Sequence, residues 1–181
     1  MTYVRDNNLI RAAFPICLRH EVDAILNQIS GFKAWDAPVN IQSTGDKLAI
    51  PYRILGIPTD LEKISSKSQK YIFMCLHSRS TDGYNREAAI KYLSSLPRIP
   101  VWIAHYLFLS VSDYVIQVAR IVSTKKQDDN EFFLDIINRN PKIYNQTLAR
   151  SISYWNVYYR GPYPKLDNYP PYRFINSIAE A

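Results

Sequence analysis

Five chemically able side chains crowd into six positions of the sequence: His77, Ser78, Arg79, Ser80 and Asp82. A serine, a base and an orienting carboxylate are the parts of an acyl-transfer centre, provided they converge in space with the base in hydrogen-bond reach of the nucleophile. Neighbours along a helix end point in different directions, so crowding in sequence argues against convergence. The stretch reads better as a corner between two helices. His77 to Ser80 close one helix, and Thr81-Asp82-Gly83 turns, with Gly83 supplying a left-handed or tight conformation. Asp82 or Thr81 caps the next helix. Arg86, four residues after Asp82, is placed to reach back to it across the first turn.

Other residue sets were weighed in the same way. Cys17-x-x-His20 with Cys75-x-His77 has the ligand types of a zinc site. Cys17 and His20 can share a helical face, but Cys75 and His77 diverge by about 200° around a helix. Glycine-rich knuckles are lacking, and no metal or other cofactor is expected; the cysteines read as packed thiols. The five glycines are isolated from one another, so no phosphate-cradling loop of known type is written in the chain. Asp113 falls inside the most apolar helical stretch, where a buried carboxylate needs a partner, with Arg79 or Arg86 nearest to hand. In "RSISYWNVYYRGPYPK", Arg150, Tyr154 and Tyr158 form an i, i+4, i+8 row and Arg160 ends the helix. Tyrosine and arginine dominate hot spots of protein interfaces. The alternatives are tyrosines packed under the following prolines with wet hydroxyls, or a platform for stacking bases.

The elements that must position these residues are mostly helical. A helix over about 7–30 breaks near Pro15, because proline removes a donor and clashes with the preceding turn. The irregular stretch that follows holds three prolines and two glycines, and suggests a small β-hairpin around residues 38–55 with "STGD" as its turn. Helices resume at about Thr59, where "TDLE" can form a capping box, and a stronger one spans 66–78. In the helix over 84–96, Ala89, Tyr92, Leu93 and Leu96 share one face. Pro100 opens a long central helix running to about Val122. Acids of "STKKQDDNE" favour the next helix start, whose stripe is Phe132, Phe133, Ile136 and Ile137. A further helix from Pro141 to about Arg160 has Tyr144, Leu148, Ser151, Ile152, Trp155 and Tyr159 as its core row. Residues 161–172 form a proline-rich surface segment, before a short helix from Arg173. The expected fold is all-α, a single helical domain over 1–181, either a bundle or a short stack of helix pairs.

Three resemblances refine this. "TDGYNREAAIKYLSSL" resembles the second half of a HEAT-type repeat, in which an inter-helix aspartate and a following arginine form a buried ladder; here these are Asp82 and Arg86. Arg98 and His105 have a spacing similar to the motif of HEPN-type ribonucleases, which implies RNA cleavage, although Pro100 intervenes. The strings "LAIPYRI", "HSRSTDGYNREAAIKYL" and "SYWNVYYR" look like those of small bacterial helical proteins, similar in size and in their lack of catalytic motifs to immunity proteins that neutralise a cognate toxin.

Charge and composition bound the function. The chain has 181 residues, 47% of them hydrophobic, 14 tyrosines and a net charge of +6. From Arg139 onward six Lys/Arg face two acids, so this third carries four of the six net positive charges. No run of five like charges exists, so a basic nucleic-acid tail is not expected. The N-terminus has no apolar signal core, no stretch reaches the length of a membrane span, and two cysteines suggest a reducing, cytoplasmic setting. The reading is a non-enzymatic protein-binding protein of immunity or antitoxin type whose partner is a toxin domain, with RNA binding as the rival and a HEPN-like ribonuclease as the third reading.

Overall fold

The computed structural model describes residues 2–124 and 130–180. The chain forms two compact units, Met1–Leu93 and Ser94–Ala181. The described residues are mostly helical, yet the fold is not strictly all-α, because the first unit also carries short antiparallel strands.

In the first unit, β1 (Tyr3–Val4) leads into α1 (Asn7–Arg11), whose start is capped by the Asp6 carboxylate accepting from the Asn8 N–H at 2.8 Å. The break expected at Pro15 is real: a 3-10 turn (Ile16–Leu18) separates α1 from α2 (Arg19–Leu26). Next come β2 (Lys33–Trp35), β3 (Val39–Gln42), β4 (Lys47–Ile50) and β5 (Ile54–Leu55). β3 and β4 pair as the expected hairpin, turned at Gly45, whose φ of +83° a side chain would resist. β1, β2 and β5 form a three-stranded antiparallel sheet. Its inner row, Val4, Ala34 and Ile54, faces the core, where Ala34 and Ile54 are buried.

α3 (Lys67–His77) and α4 (Gly83–Ser94) complete this unit. Ser66 caps α3 through the Gln69 N–H. The helix expected from Thr59 does not form. Seven residues between Pro58 and the Ser66 cap are too few to nucleate a helix by themselves. Their backbone is bound by side chains from elsewhere: the Lys63 N–H donates to Gln28 Oε1 and the Ser65 N–H to Gln69 Oε1.

The second unit is wholly helical among its described residues: α5 (Val101–Val111), α6 (Ile116–Ser123), α7 (Asn130–Arg139), α8 (Pro141–Tyr154) continuing as a π-helix (Trp155–Tyr159), and α9 (Pro170–Ala179). The long central helix expected from Pro100 to Val122 is two helices. Asp113 lies in the break, not inside a helix. Its Oδ1 accepts from the Val115 N–H at 2.9 Å, a local bond that competes with helical pairing. In α7, Phe133, Ile136 and Ile137 are buried as expected, while Phe132 is half-buried. Of the polar loop before it, residues 125–129 lie outside the described residues; Glu131 stands in the first turn of α7.

Two further expectations change. The buried row of α8 is Ile143, Thr147 and Ser151; of the expected row Ser151 is buried, Tyr144, Leu148, Trp155 and Tyr159 are half-buried, and Ile152 is exposed. Thr147 and Ser151 are small, and small side chains let α8 lie close to its neighbours α7 and α9. The proline-rich segment is on the surface only in part. Residues 161–168 are mostly exposed, but Tyr169 and Pro171 are buried. The helix starts at Pro170, three residues early, because proline suits a helix's first positions.

No helix among the described residues is long and apolar enough to cross a membrane.

Candidate functional site

The α3–α4 corner resolves the crowded stretch. His77 is 5% exposed and donates from Nε2 to the Pro58 carbonyl at 3.0 Å. Ser78 Oγ donates to the Cys75 carbonyl at 2.6 Å. Arg79 donates to the carbonyls of Pro51 and Tyr52. Each polar group is bound to backbone, so the histidine and the serine are not held as a base–nucleophile pair. Asp82 caps α4, its Oδ1 accepting from the N–H groups of Tyr84 (2.8 Å) and Asn85 (3.1 Å). Gly83 opens α4 without a left-handed φ; the positive-φ glycines are Gly31, Gly45 and Gly56. Arg86 does brace the corner, but onto the carbonyls of Ser80 (3.0 Å) and Thr81 (3.1 Å), not onto the Asp82 carboxylate. The carboxylate is turned to the α4 N–H groups instead, where the helix dipole favours it.

His105 is 1% exposed within α5, with Nδ1 donating to the Val101 carbonyl at 3.1 Å. Arg98 is exposed in the loop before that helix. Cys17 is exposed and Cys75 buried; burial pushes the Cys75 thiol up, away from the thiolate that metal binding and nucleophilic attack both require.

Both buried histidines give a pH dependence. Burial holds His77 and His105 below the usual imidazole range. The folded chain therefore takes the proton less readily than the unfolded chain, whose histidines titrate near 6.5. Stability from this source is full above about pH 6.5. It falls as pH drops below that value, by at most about 1.4 kcal/mol per histidine per pH unit, and levels off below the folded-state pKa. Urea midpoints measured from about pH 7.5 to 5.5 should fall with acid, and the fall should be shallower in His105→Gln.

The residues best placed to act on another molecule lie where α8 passes into the π-helix. Such widened turns recur at functional sites. Tyr154 and Tyr158 are ring neighbours at 6.3 Å, and Tyr114, from the break between α5 and α6, meets Tyr154 edge-on at 6.4 Å. Tyr158 and Val157 are each 63% exposed, Tyr114 is 44% exposed and Ile152 37%. Arg150 stands one turn before Tyr154, half-buried. Arg160 leaves the tyrosine row and lies over the Trp155 ring at 4.9 Å.

This face is braced by Trp155 and Tyr159, both in the expected core row, together with Tyr163 and Tyr169. The Tyr159 hydroxyl donates to the Tyr114 carbonyl at 2.7 Å and accepts from the Ile116 N–H at 3.2 Å. It thereby satisfies an orphan donor at the start of α6. Tyr159 stacks on buried Tyr169 at 5.6 Å and 19°, and Tyr163 meets Tyr169 edge-on at 5.6 Å. Trp155 Nε1 donates to the Tyr163 carbonyl at 2.7 Å. Burial raises the phenol pKa of Tyr159 and Tyr169, so both stay protonated at neutral pH. The arrangement offers contact area held in one shape. In the sequence, the tyrosine row, the core row ending at Tyr159 and the packing of tyrosines under the following prolines all point to this region; the part of Tyr163 and Tyr169 has no spacing signal.

Compared with known protein families, curated proteins and solved structures, the chain matches none.

Proposed function

We propose that the chain is a non-enzymatic protein-binding protein, an inhibitor of the immunity or antitoxin type that docks on a toxin domain through the tyrosine face of its second unit. The observation that carries this reading is the exposure of Tyr158 and Val157, both 63%, with Tyr114 joined to the same row through Tyr154. Large apolar side chains held out on a braced helix cost little entropy when they are covered, and tyrosine is enriched at the hot spots of such contacts. Arg150, one turn before Tyr154, and the net positive charge of this third of the chain call for a partner with acidic side chains around an apolar centre. Both cysteines are unpaired, as a cytoplasmic setting would keep them.

The test is co-purification with the product of an adjacent open reading frame. The expected result is a stoichiometric complex that survives high salt and that Val157→Asp weakens at least ~30-fold without changing the melting temperature. A complex indifferent to Val157→Asp overturns the site. Salt-steep RNA binding through the same residues, or RNA cleavage abolished by His105→Ala, overturns the function.

A further inference from the structure

The β1–β2–β5 sheet has a second face that the tyrosine surface does not involve. Its register sets Tyr3 opposite Trp35 on β1 and β2, and Lys33 opposite Leu55 on β2 and β5. Continuing that register one residue along each chain places Arg5 beside Lys33, and Arg53, whose carbonyl accepts from the Trp35 N–H, beside Trp35. Side chains alternate across a strand, so one face presents two rows: Tyr3, Trp35 and Arg53, then Arg5, Lys33 and Leu55. The opposite row, Val4, Ala34 and Ile54, belongs to the core.

The outward rows hold two exposed cations, Arg5 and Lys33, two aromatic rings and a leucine, and no acid, while the Arg53 side chain is buried. Next to these rows in sequence stand Asp6, whose carboxylate accepts from the Asn8 N–H, and Asp36, one residue past Trp35. Arg5 and Lys33 are exposed, Tyr3 is 37% and Leu55 47% exposed, and Trp35 is half-buried. Trp35 is packed against two rings, and Tyr3 is the more exposed member of the cluster. Tyr3 stacks on Trp35 at 6.1 Å and 19°, Trp35 tilts against Tyr52 at 5.0 Å, and the Arg53 guanidinium lies over Tyr52 at 4.7 Å. Arg5 and Lys33 stand two residues along their strands from Tyr3 and Trp35, a step of about 7 Å.

We propose that this sheet face binds single-stranded nucleic acid, with a base stacking on Tyr3, which Trp35 backs, and phosphates meeting Arg5 and Lys33. Stacking on aromatic rings is tolerant of sequence, because every base has a π-face, and a cationic track beside the rings holds the backbone. Charge selects the occupant: a polyanion meets Arg5 and Lys33 without opposition from any acid in either row. A paired duplex keeps its bases stacked inside and cannot offer them to the rings. The inference is independent of the protein-binding proposal, which rests on the second unit.

The experiment is fluorescence anisotropy of the full chain with labelled single-stranded RNA and DNA of about 12 nucleotides, and with the matching duplex. The salt range runs from about 50 to 200 mM. The expected result is preference for single strands, weakened roughly tenfold by Tyr3→Ala. Lys33→Ala should lower the slope of log affinity against log salt by about 0.7. Both variants should melt like the parent. If Tyr3→Ala does not fold, the double variant Arg5→Ala with Lys33→Ala, which removes only exposed cations, decides. Absence of binding at low salt overturns the proposal, and so does binding that these variants leave unchanged. Binding abolished by Tyr158→Ala, with the sheet variants unaffected, also overturns it.

Discussion

Replacing Arg86 with alanine is expected to cost about 3–5 kcal/mol of stability, a large share of what holds a domain of this size. The side chain is fully buried. It donates to the carbonyls of Ser80 and Thr81, at the point where the corner is also pinned to β5: the Ile54 N–H donates to the Arg79 carbonyl and the Thr81 N–H to the Ile54 carbonyl. Alanine leaves two backbone acceptors without these donors and opens a cavity the length of the lost side chain. A buried acceptor stripped of its partner costs about 1–3 kcal/mol, and the cavity adds to that. Arg86→Lys should fall between the two, since an ammonium on a flexible stem cannot reproduce a planar fork. Asp82→Ala, which removes a cap and buries nothing, should cost only about 1 kcal/mol. Urea denaturation with an unchanged m-value measures all three. An Arg86→Ala cost near that of Asp82→Ala would show that Arg86 merely fills space and does not brace the corner.

How far the sequence disclosed this arrangement depends on how local the deciding interaction is. The Asp82 cap is encoded within three residues, and its carboxylate indeed takes the Tyr84 and Asn85 N–H groups. The Pro15 break and the Gly45 hairpin turn are equally local, and both are found where composition placed them. What was not legible involves a partner distant in sequence. The helix start at Thr59 was locally sound, but Gln28, some thirty-five residues away, holds the Lys63 N–H. The break at Asp113 is encoded by a short Asx bond, yet the surrounding apolar run hides it, and the Tyr159 hydroxyl that fastens it comes from forty-three residues further along. On α8, tyrosines stand on several sides of the helix, so hydrophobic periodicity did not choose between the row at Tyr144 and the row at Ile143; packing against neighbouring helices did. Of the candidate site, Tyr154 and Tyr158 were readable as a row. Of their supports, Tyr159 stood in the expected core row, while Tyr163 and Tyr169 were not readable, because side-chain stacking across a proline-rich turn has no spacing rule.

Tyr169→Ala is expected to cost the second unit about 3–5 kcal/mol, the range for removing a buried aromatic ring, and to loosen the tyrosine face along with it. Tyr169 is 1% exposed. It stands at the N-cap of α9, so its ring joins the last helix to what precedes it. Tyr159 stacks flat on it and Tyr163 meets its edge. Both are tied onward, Tyr159 to the break between α5 and α6 and Tyr163 to the Trp155 indole through its carbonyl. Without the ring, Tyr159 loses the surface that holds its hydroxyl against Tyr114, and the exposed pair Val157 and Tyr158 loses its rigid base. Tyr169→Phe keeps the stacked ring and should cost less than about 1.5 kcal/mol, as a volume-conserving change does. The two variants separate ring from hydroxyl. Thermal melting reads the stability difference, and amide exchange at Ile116 reads the face, because that N–H is the one the Tyr159 hydroxyl accepts from. If Tyr169→Ala lowers the melting temperature while Ile116 stays as protected as in Tyr169→Phe, the ring supports the fold without bracing the surface that a partner would meet.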